Sequence, residues 1–307
     1  KGTIVKVWLD DDVFTSKYGV NRLDITERLR GSVFLIPGLT IDVYNEVDTI
    51  EVNGVEKPRI DSFNFENGVE ELVTLNQGKE PITELIHLEA REKYKEVVAV
   101  LQDGGKVVNQ EVDRVVVVEV AMGWDAGFDY SMESYVNTIR TRLGGVHESA
   151  FERALVKSFN DKITSMRGMI PSTMKLAPSF EDYQEGLTVV LSVKISEPQF
   201  TGQAKEELGG REAQRAIQRL LNEVFTEFVN AGKNFEQMKV IGKKISDATK
   251  AREAQREARD VRRKKSALES SGSLPAKLVD CEITHTDDSE LYIVEGDSAK
   301  GALKGAR

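Results

Sequence analysis

Two strongly β-branched runs, RVVVVEVAMGW (114–124) and EGLTVVLSVKIS (185–196), constrain this chain more than any other feature. Branching at Cβ stiffens χ1 and suits a pleated, buried surface better than a helix. In the second run Leu187, Val189, Leu191, Val193 and Ile195 fall on one side, and Pro198 closes the strand. Between the runs lies HESAFERALVKSFNDKI (147–163), where Phe151, Leu155, Phe159 and Ile163 recur every four residues and share one helical face. A helix with one apolar face, set between buried strands, lays that face on their sheet. The expectation is an α+β fold, a mixed or mostly antiparallel sheet with packed helices.

The flanking segments extend this pattern. GTIVKVWL (2–9) alternates through Ile4, Val5 and Val7, and VFLIPGLTIDVY (33–44) is expected as two extended pieces broken at Pro37-Gly38. KEVVAVLQDGGKVV (95–108) is expected as a hairpin turning at Asp103-Gly104-Gly105. Residues 165–184, with Met, Pro and Ser, are expected as a loop. From Arg211 an apolar stripe of Ile217, Leu220, Leu221, Val224, Phe225 and Phe228 predicts a helix that stops at Asn230-Ala231-Gly232. A further helix starts at Asn234, with Gln237 at the capping-box position. It is expected to run on through SDATKAREAQREARDVRRKKSALE (246–269), with Ala251, Ala254, Ala258 and Val261 on a face that can pack. The Gly, Ser and Pro of ESSGSLPAKL (269–278) read as a linker and a domain boundary.

Composition excludes several classes. The 307 residues are 40% hydrophobic and 30% charged, and no apolar run approaches the ~18 residues of a membrane span. Nothing at the amino end has the basic start and apolar stretch of a signal peptide, and with a single cysteine a reducing cytoplasm and no membrane role are expected. With Cys281 the only cysteine, an intramolecular disulfide and a thiolate metal site are both excluded. Residues 243–265 hold ten Lys or Arg against four Asp or Glu, a local balance of +6 in a chain of net charge −9. Basic charge is therefore concentrated in one helix.

Three stretches carry candidate chemistry. In EPQFTGQAKEELGG (197–210), Gln203 and Lys205 stand two apart and, on extended backbone, point the same way. An ammonium and an amide donor suit a terminal phosphate, although a loop Lys and Gln are as often simply solvated. On the long helix Arg252, Arg256, Arg259 and Arg263 form a row opposite the alanines. They fit phosphate contact, and equally a solvated face paired with Glu253, Glu257 and Asp260. Finally, SELYIVEGDSAKGALKGAR (289–307) delivers Glu295 from an apolar run into a turn of small residues. A carboxylate at a strand's carboxyl end can serve a hard cation, and Asp297 or Ser298 can equally serve as an N-cap. His87, His147 and Cys281 form no recognisable constellation and receive no catalytic role.

LYIVEGDSAKGALKGAR (291–307) resembles the start of the TOPRIM domain of type IIA topoisomerase B subunits, those of DNA gyrase and bacterial topoisomerase IV. GTIVKVWLDDDVF, FLIPGLTIDV, FNFENGVEELV, VEVAMGW, GGVHESAFERAL, EGLTVVLSVKISEPQFTGQAKEELG, AREAQREARDVRRKKSALE and LPAKLVDC resemble successive blocks of that family, in family order. The GDSAKGALKGAR ending resembles topoisomerase IV-like subunits of Gram-positive bacteria more than it resembles gyrase. The resemblance implies that residues 1–14 are the last strand of a GHKL ATPase domain and 15–230 a transducer domain. That fold, shared with GHMP kinases, has a left-handed βαβ crossover. Residues 231–285 would be connecting helices and linker, and 286–307 the truncated start of TOPRIM.

The same resemblance implies roles. Lys205 corresponds to the lysine that reaches the ATP γ-phosphate and Gln203 to its neighbouring contact, with Ala204 where the family commonly has Thr. Glu295 corresponds to the catalytic TOPRIM glutamate, a magnesium (Mg2+) ligand and candidate general acid for religation, whose companion Asp-x-Asp lies beyond residue 307. The implied enzyme is an ATP-hydrolysing DNA topoisomerase, an isomerase of A2B2 assembly. It acts on double-stranded DNA with an A subunit carrying the catalytic tyrosine and a second B subunit that dimerises with ATP. A fragment of this extent would be inactive alone. A MutL-like protein shares the GHKL–transducer pair but does not continue into a Glu-Gly-Asp-Ser-Ala turn. A non-enzymatic nucleic-acid-binding module would explain the basic helix but not Gln203, Lys205 and Glu295 in family order.

Overall fold

In a computed structural model of the chain, residues 4–7, 22–78, 80–101, 107–171, 174–270, 292–293 and 295 are described. Contacts divide the chain into two units, residues 1–249 and 250–307.

The first unit is built on the two β-branched runs. β3 (Ile86–Leu101) and β4 (Val107–Trp124) form a long antiparallel hairpin, paired from Ile86↔Met122 to Leu101↔Val107. Its tip, with Asp103-Gly104-Gly105, lies outside the described residues. β7 (Leu187–Ile195) pairs antiparallel with β4 along Val116–Trp124, and β5 (Ser131–Val136) pairs parallel with β7. With the short β6 (Ile139–Arg140) the order is β3-β4-β7-β5-β6, a mixed sheet. β5 and β7 are joined over β6, α3 (Val146–Ser165) and α4 (Phe180–Gln184), which makes a crossover between parallel neighbours.

Both faces of this sheet are covered, which is why its central strands are apolar on both sides. On one face, Val116, Val118, Val120, Met122 and Trp124 of β4, together with the odd-numbered residues 187–195 of β7, meet Phe151, Leu155, Phe159 and Ile163 of α3. They also meet Ile217, Leu220, Leu221 and Phe225 of α5 (Arg211–Asn230). Phe159 is the hub: its ring lies 6.0 Å from Trp124, 6.2 Å from Tyr183, 5.9 Å from Phe225 and 6.3 Å from Phe228. The buried indole donates to the Tyr183 carbonyl at 3.0 Å, so no polar atom is stranded there. The start of α6 (Phe235–Ser270) adds Met238, Ile241 and Ile245 to the same core. On the other face Ala121, Tyr135 and Val190 meet Val69, Leu72 and Val73 of α2 (Val69–Asn76) and Phe34 and Leu35.

Several expectations are corrected. Residues 22–34 form a helix, α1, so Val33 and Phe34 end a helix rather than open a strand. Phe34 stacks on Phe65 at 3.6 Å, a tertiary contact that local alternation does not encode. β1 (Thr40–Val52) and β2 (Val55–Asn64) make a separate two-stranded sheet, turning at Asn53-Gly54 with φ of 55° and 78°. Residues 4–7 have no strand ladder, and Ile4, Val5 and Val7 are exposed, since alternation makes a strand only where a partner pairs with it. The rest of the expected first strand lies outside the described residues.

Within the expected loop 165–184, Ser179 and Asp182 form a capping box that starts α4. At α6, the Asn234 N–H that a capping box would give to Gln237 goes to the Ala231 carbonyl at 3.0 Å, because a 3₁₀ turn, Gly232–Asn234, leads in.

In the second unit α6 continues as expected, but Ala251, Ala254, Ala258 and Val261 are exposed rather than packed. Of the expected linker 269–278, residues 269–270 belong to α6 and the rest lies outside the described residues, as does most of the expected TOPRIM start. Tyr292 and Ile293 are exposed and not in a strand.

Candidate functional site

The loop that carries Gln203 and Lys205 follows β7 and is rooted by an ion-pair cluster. Arg114, in the middle of β4 just before its pairing with β7 begins, donates through Nε to Glu96 at 2.9 Å and through a terminal nitrogen to Glu197 at 2.6 Å. Gln199 donates to the other Glu96 oxygen at 2.8 Å. These bonds hold the guanidinium firmly protonated, first through Glu197 and then through Glu96. A nearly buried carboxylate is thereby fully engaged, which is the condition for placing one at a strand edge.

Beyond this root the chain folds back on itself. Gly209 N–H donates to the Gln199 carbonyl at 2.7 Å, Thr201 N–H to the Glu207 carbonyl at 3.1 Å, and Thr201 Oγ1 to the Glu207 carboxylate at 2.7 Å. The tip is a turn closed by Lys205 N–H to the Gly202 carbonyl at 3.1 Å. Lys205 has a φ of 58°, left-handed for a residue with a side chain. Gln203 and Lys205 therefore sit on a turn, not on extended backbone, because the i to i+3 bond curls the chain between them. Both are exposed. The arrangement offers one ammonium and one amide to solvent from a tip whose two arms are hydrogen-bonded together, which suits capture of a charged terminal group from outside this unit.

The other site residues are placed separately. Arg256, Arg259 and Arg263 are exposed on α6, whereas Arg252 is half-buried. Glu295 is exposed. Among the described residues no group of three His, Cys, Asp or Glu side chains could hold a metal ion. A hard divalent cation needs several oxygen ligands, so the described residues do not by themselves fit one, and no metal-dependent step is derived. Cys281 lies outside the described residues.

Two histidines without a role in the sequence pattern have definite surroundings. His87 lies between Glu70, 2.6 Å from Nδ1, and Glu119, 3.2 Å from Nε2. The Glu119 bond raises its pKa above the usual imidazole value. His147 is fully buried near the start of α3, with Nε2 3.0 Å from Thr141 Oγ1, and burial pushes it down to about 4. Sequence spacing carried no signal for either, since their partners lie on other elements or across a turn.

The fold is shared with the ATP-binding regions of bacterial type II topoisomerases. The 43K ATPase domain of Thermus thermophilus gyrase B, solved with an aminocoumarin, superposes with a TM-score of 0.56 at 25% identity. That match takes in 82% of this chain and 59% of the other. The topoisomerase IV ATP-binding domain of Francisella tularensis, solved with a small-molecule inhibitor, has a TM-score of 0.53 at 21% identity, over 76% of this chain and 54% of that one. The DNA gyrase B family profile matches residues 68–261. The DNA gyrase B protein of Thermotoga maritima is 35% identical over 310 residues, covering 100% of this chain and 44% of that protein. Its counterpart from Staphylococcus epidermidis is 34% identical over 307 residues, covering 100% and 43%. The chain belongs to the DNA gyrase B family. It spans less than half the length of these curated relatives.

Proposed function

We propose that this chain is the transducing part of the B subunit of an ATP-dependent type II DNA topoisomerase, linking the state of a bound nucleotide to the handling of double-stranded DNA. Family membership over the whole chain supports this, and the observation that carries it is the Lys205 turn: an exposed cation on a loop whose base is locked to the sheet. On this proposal Lys205, assisted by Gln203, contacts the γ-phosphate of ATP held by a GHKL domain. The loop is held while the phosphate is present and released after hydrolysis. Residues 15–230 form the transducer domain, 231–285 the connection and 286–307 the start of TOPRIM. Arg252, Arg256, Arg259 and Arg263 contact DNA phosphates. Glu295 is one acid of a magnesium site completed by residues other than those described. The partners are an A subunit that carries the catalytic tyrosine and a second copy of the B subunit, in the cytoplasm. The assembled enzyme passes one DNA duplex through another, changing DNA supercoiling or decatenating chromosomes.

The test is Lys205→Ala in the complete B subunit assembled with its A subunit. Removing a charge-bearing donor that acts on the reacting phosphate is expected to lower the rate of ATP hydrolysis on the order of 10²-fold and abolish relaxation. Hydrolysis at the wild-type rate would refute the assignment.

A further inference from the structure

The return arm of the Lys205 loop is bonded to a second turn, far away in sequence. Leu143 N–H donates to the carbonyl of Glu206, the residue after Lys205, at 3.0 Å. Leu208 N–H donates to the Gly144 carbonyl at 3.1 Å, and Val146 N–H to the Leu208 carbonyl at 2.9 Å. Gly145, at the centre, has a φ of 138°, and a Cβ there would lie 2.6 Å from the Leu208 nitrogen. The obstruction is backbone, so no rotamer change relieves it. Only glycine lets the two turns approach this closely.

The second turn is itself held by a buried polar cluster. Thr141 N–H and Oγ1 both donate to the Ser134 carbonyl, at 2.9 and 3.0 Å, and Ser134 Oγ donates to Glu148 at 2.5 Å. Thr141 Oγ1 also lies 2.5 Å from Ser134 Oγ and 3.0 Å from His147 Nε2, and with its single proton on the Ser134 carbonyl it accepts from His147 in the tautomer protonated at Nε2. His147 Nδ1 then has no donor facing it, and among the described residues it has no partner. A fully buried imidazole with one hydrogen bond is a costly way to fill space; a phenyl ring fills it without stranding a polar atom. What the imidazole adds is that one bond, which fixes the Thr141 hydroxyl and with it the turn that grips Leu208.

We propose that the 141–147 turn is a clamp that positions the Lys205 loop, and that His147 is a positioning residue acting through Thr141. The proposal rests on the assignment of Lys205 to the γ-phosphate and adds what aims it. Since His147 and Glu148 open α3, whose buried face carries Phe151, Leu155 and Phe159, the clamp also joins the loop directly to the helix at the centre of the core. A change in the loop is thereby felt at the α3 N-terminus.

Two measurements test this. In the 307-residue chain, Gly145→Ala is expected to speed amide hydrogen exchange of Leu143 and Leu208 on the order of ten-fold or more while Val190 and Leu191 in β7 keep their protection, which shows that the fold survives. In the complete B subunit with its A subunit, His147→Phe keeps the volume and loses the bond, whereas His147→Gln keeps an amide donor near Nε2. The Phe variant is expected to lower kcat for ATP on the order of ten-fold with KM nearly unchanged, and the Gln variant to recover most of it. A space-filling role predicts the reverse order, with Phe the better substitute, and that order would overturn the clamp. So would unchanged Leu208 exchange in Gly145→Ala. If Lys205→Ala keeps full hydrolysis while exchange still responds, the phosphate assignment fails and takes the aiming role with it, leaving only a structural contact.

Discussion

His147 shows how a residue without a sequence signature acquires a measurable property. Its pKa of about 4, against an ordinary 6.5, arises from burial, which disfavours the imidazolium. A histidine depressed in the folded state contributes stability that is fully present above about 6.5, where both states are neutral, and that is lost as the pH falls towards about 4. By pH 5 the loss is roughly 2 kcal/mol, from the difference between the two titrations. The unfolding free energy of the wild type is therefore expected to drop between pH 7 and pH 5 by about that much more than in His147→Gln, which does not titrate. Chemical denaturation at the two pH values measures it, and parallel losses would count against a buried neutral imidazole. The residues legible from sequence are of another kind. Phe151, Leu155, Phe159 and Ile163 announce themselves through spacing, because a helix repeats its own geometry and the core-facing side repeats with it.

At the scale of elements, α3 is where most of the core converges. Phe159 touches the sheet, α4 and α5 through four aromatic contacts, so truncation leaves a cavity that rigid neighbours on three sides do not fill. Phe159→Ala is expected to cost about 3–5 kcal/mol, read from the urea midpoint at constant m-value. A cost under ~1 kcal/mol would mean that α3 is not seated on the sheet as described. Elements with strong internal periodicity, β4, β7, α3 and α5, are readable from the sequence. α1 is not: its charged residues interrupt every apolar run, and it is seated through Phe34 against Phe65 and the α2 side. The β1–β2 hairpin also escapes a reading based on apolar runs, although Asn53-Gly54 is a strong local turn signal that could have found it.

For the whole molecule, the acidic majority of the chain and the basic stretch of α6 call for different tests. Within the second unit Arg256, Arg259 and Arg263 are exposed along one helix. If they neutralise DNA phosphates, counterion release makes affinity fall steeply with salt. Replacing these three by Ala is expected to reduce the slope of log K against log salt by about 2–3 for duplex DNA, roughly 0.9 for each lost contact. An unchanged slope would assign the row to a solvated face.

The division between sequence and structure follows from the range of the forces. Local sterics and periodicity determined the β-branched strands, the amphipathic helices and the concentration of arginine, since each depends on residues a few positions apart. The ordered blocks from Gly2 to Arg307 likewise carried the family resemblance without a coordinate. Only the tertiary structure decided that Gln203 and Lys205 stand on a curled turn, that Gly145 lies against Leu208, and that His147 is buried with one bond to Thr141. Those contacts join segments about 60 residues apart or depend on water being excluded, and neither close approach nor exclusion leaves a period in the chain.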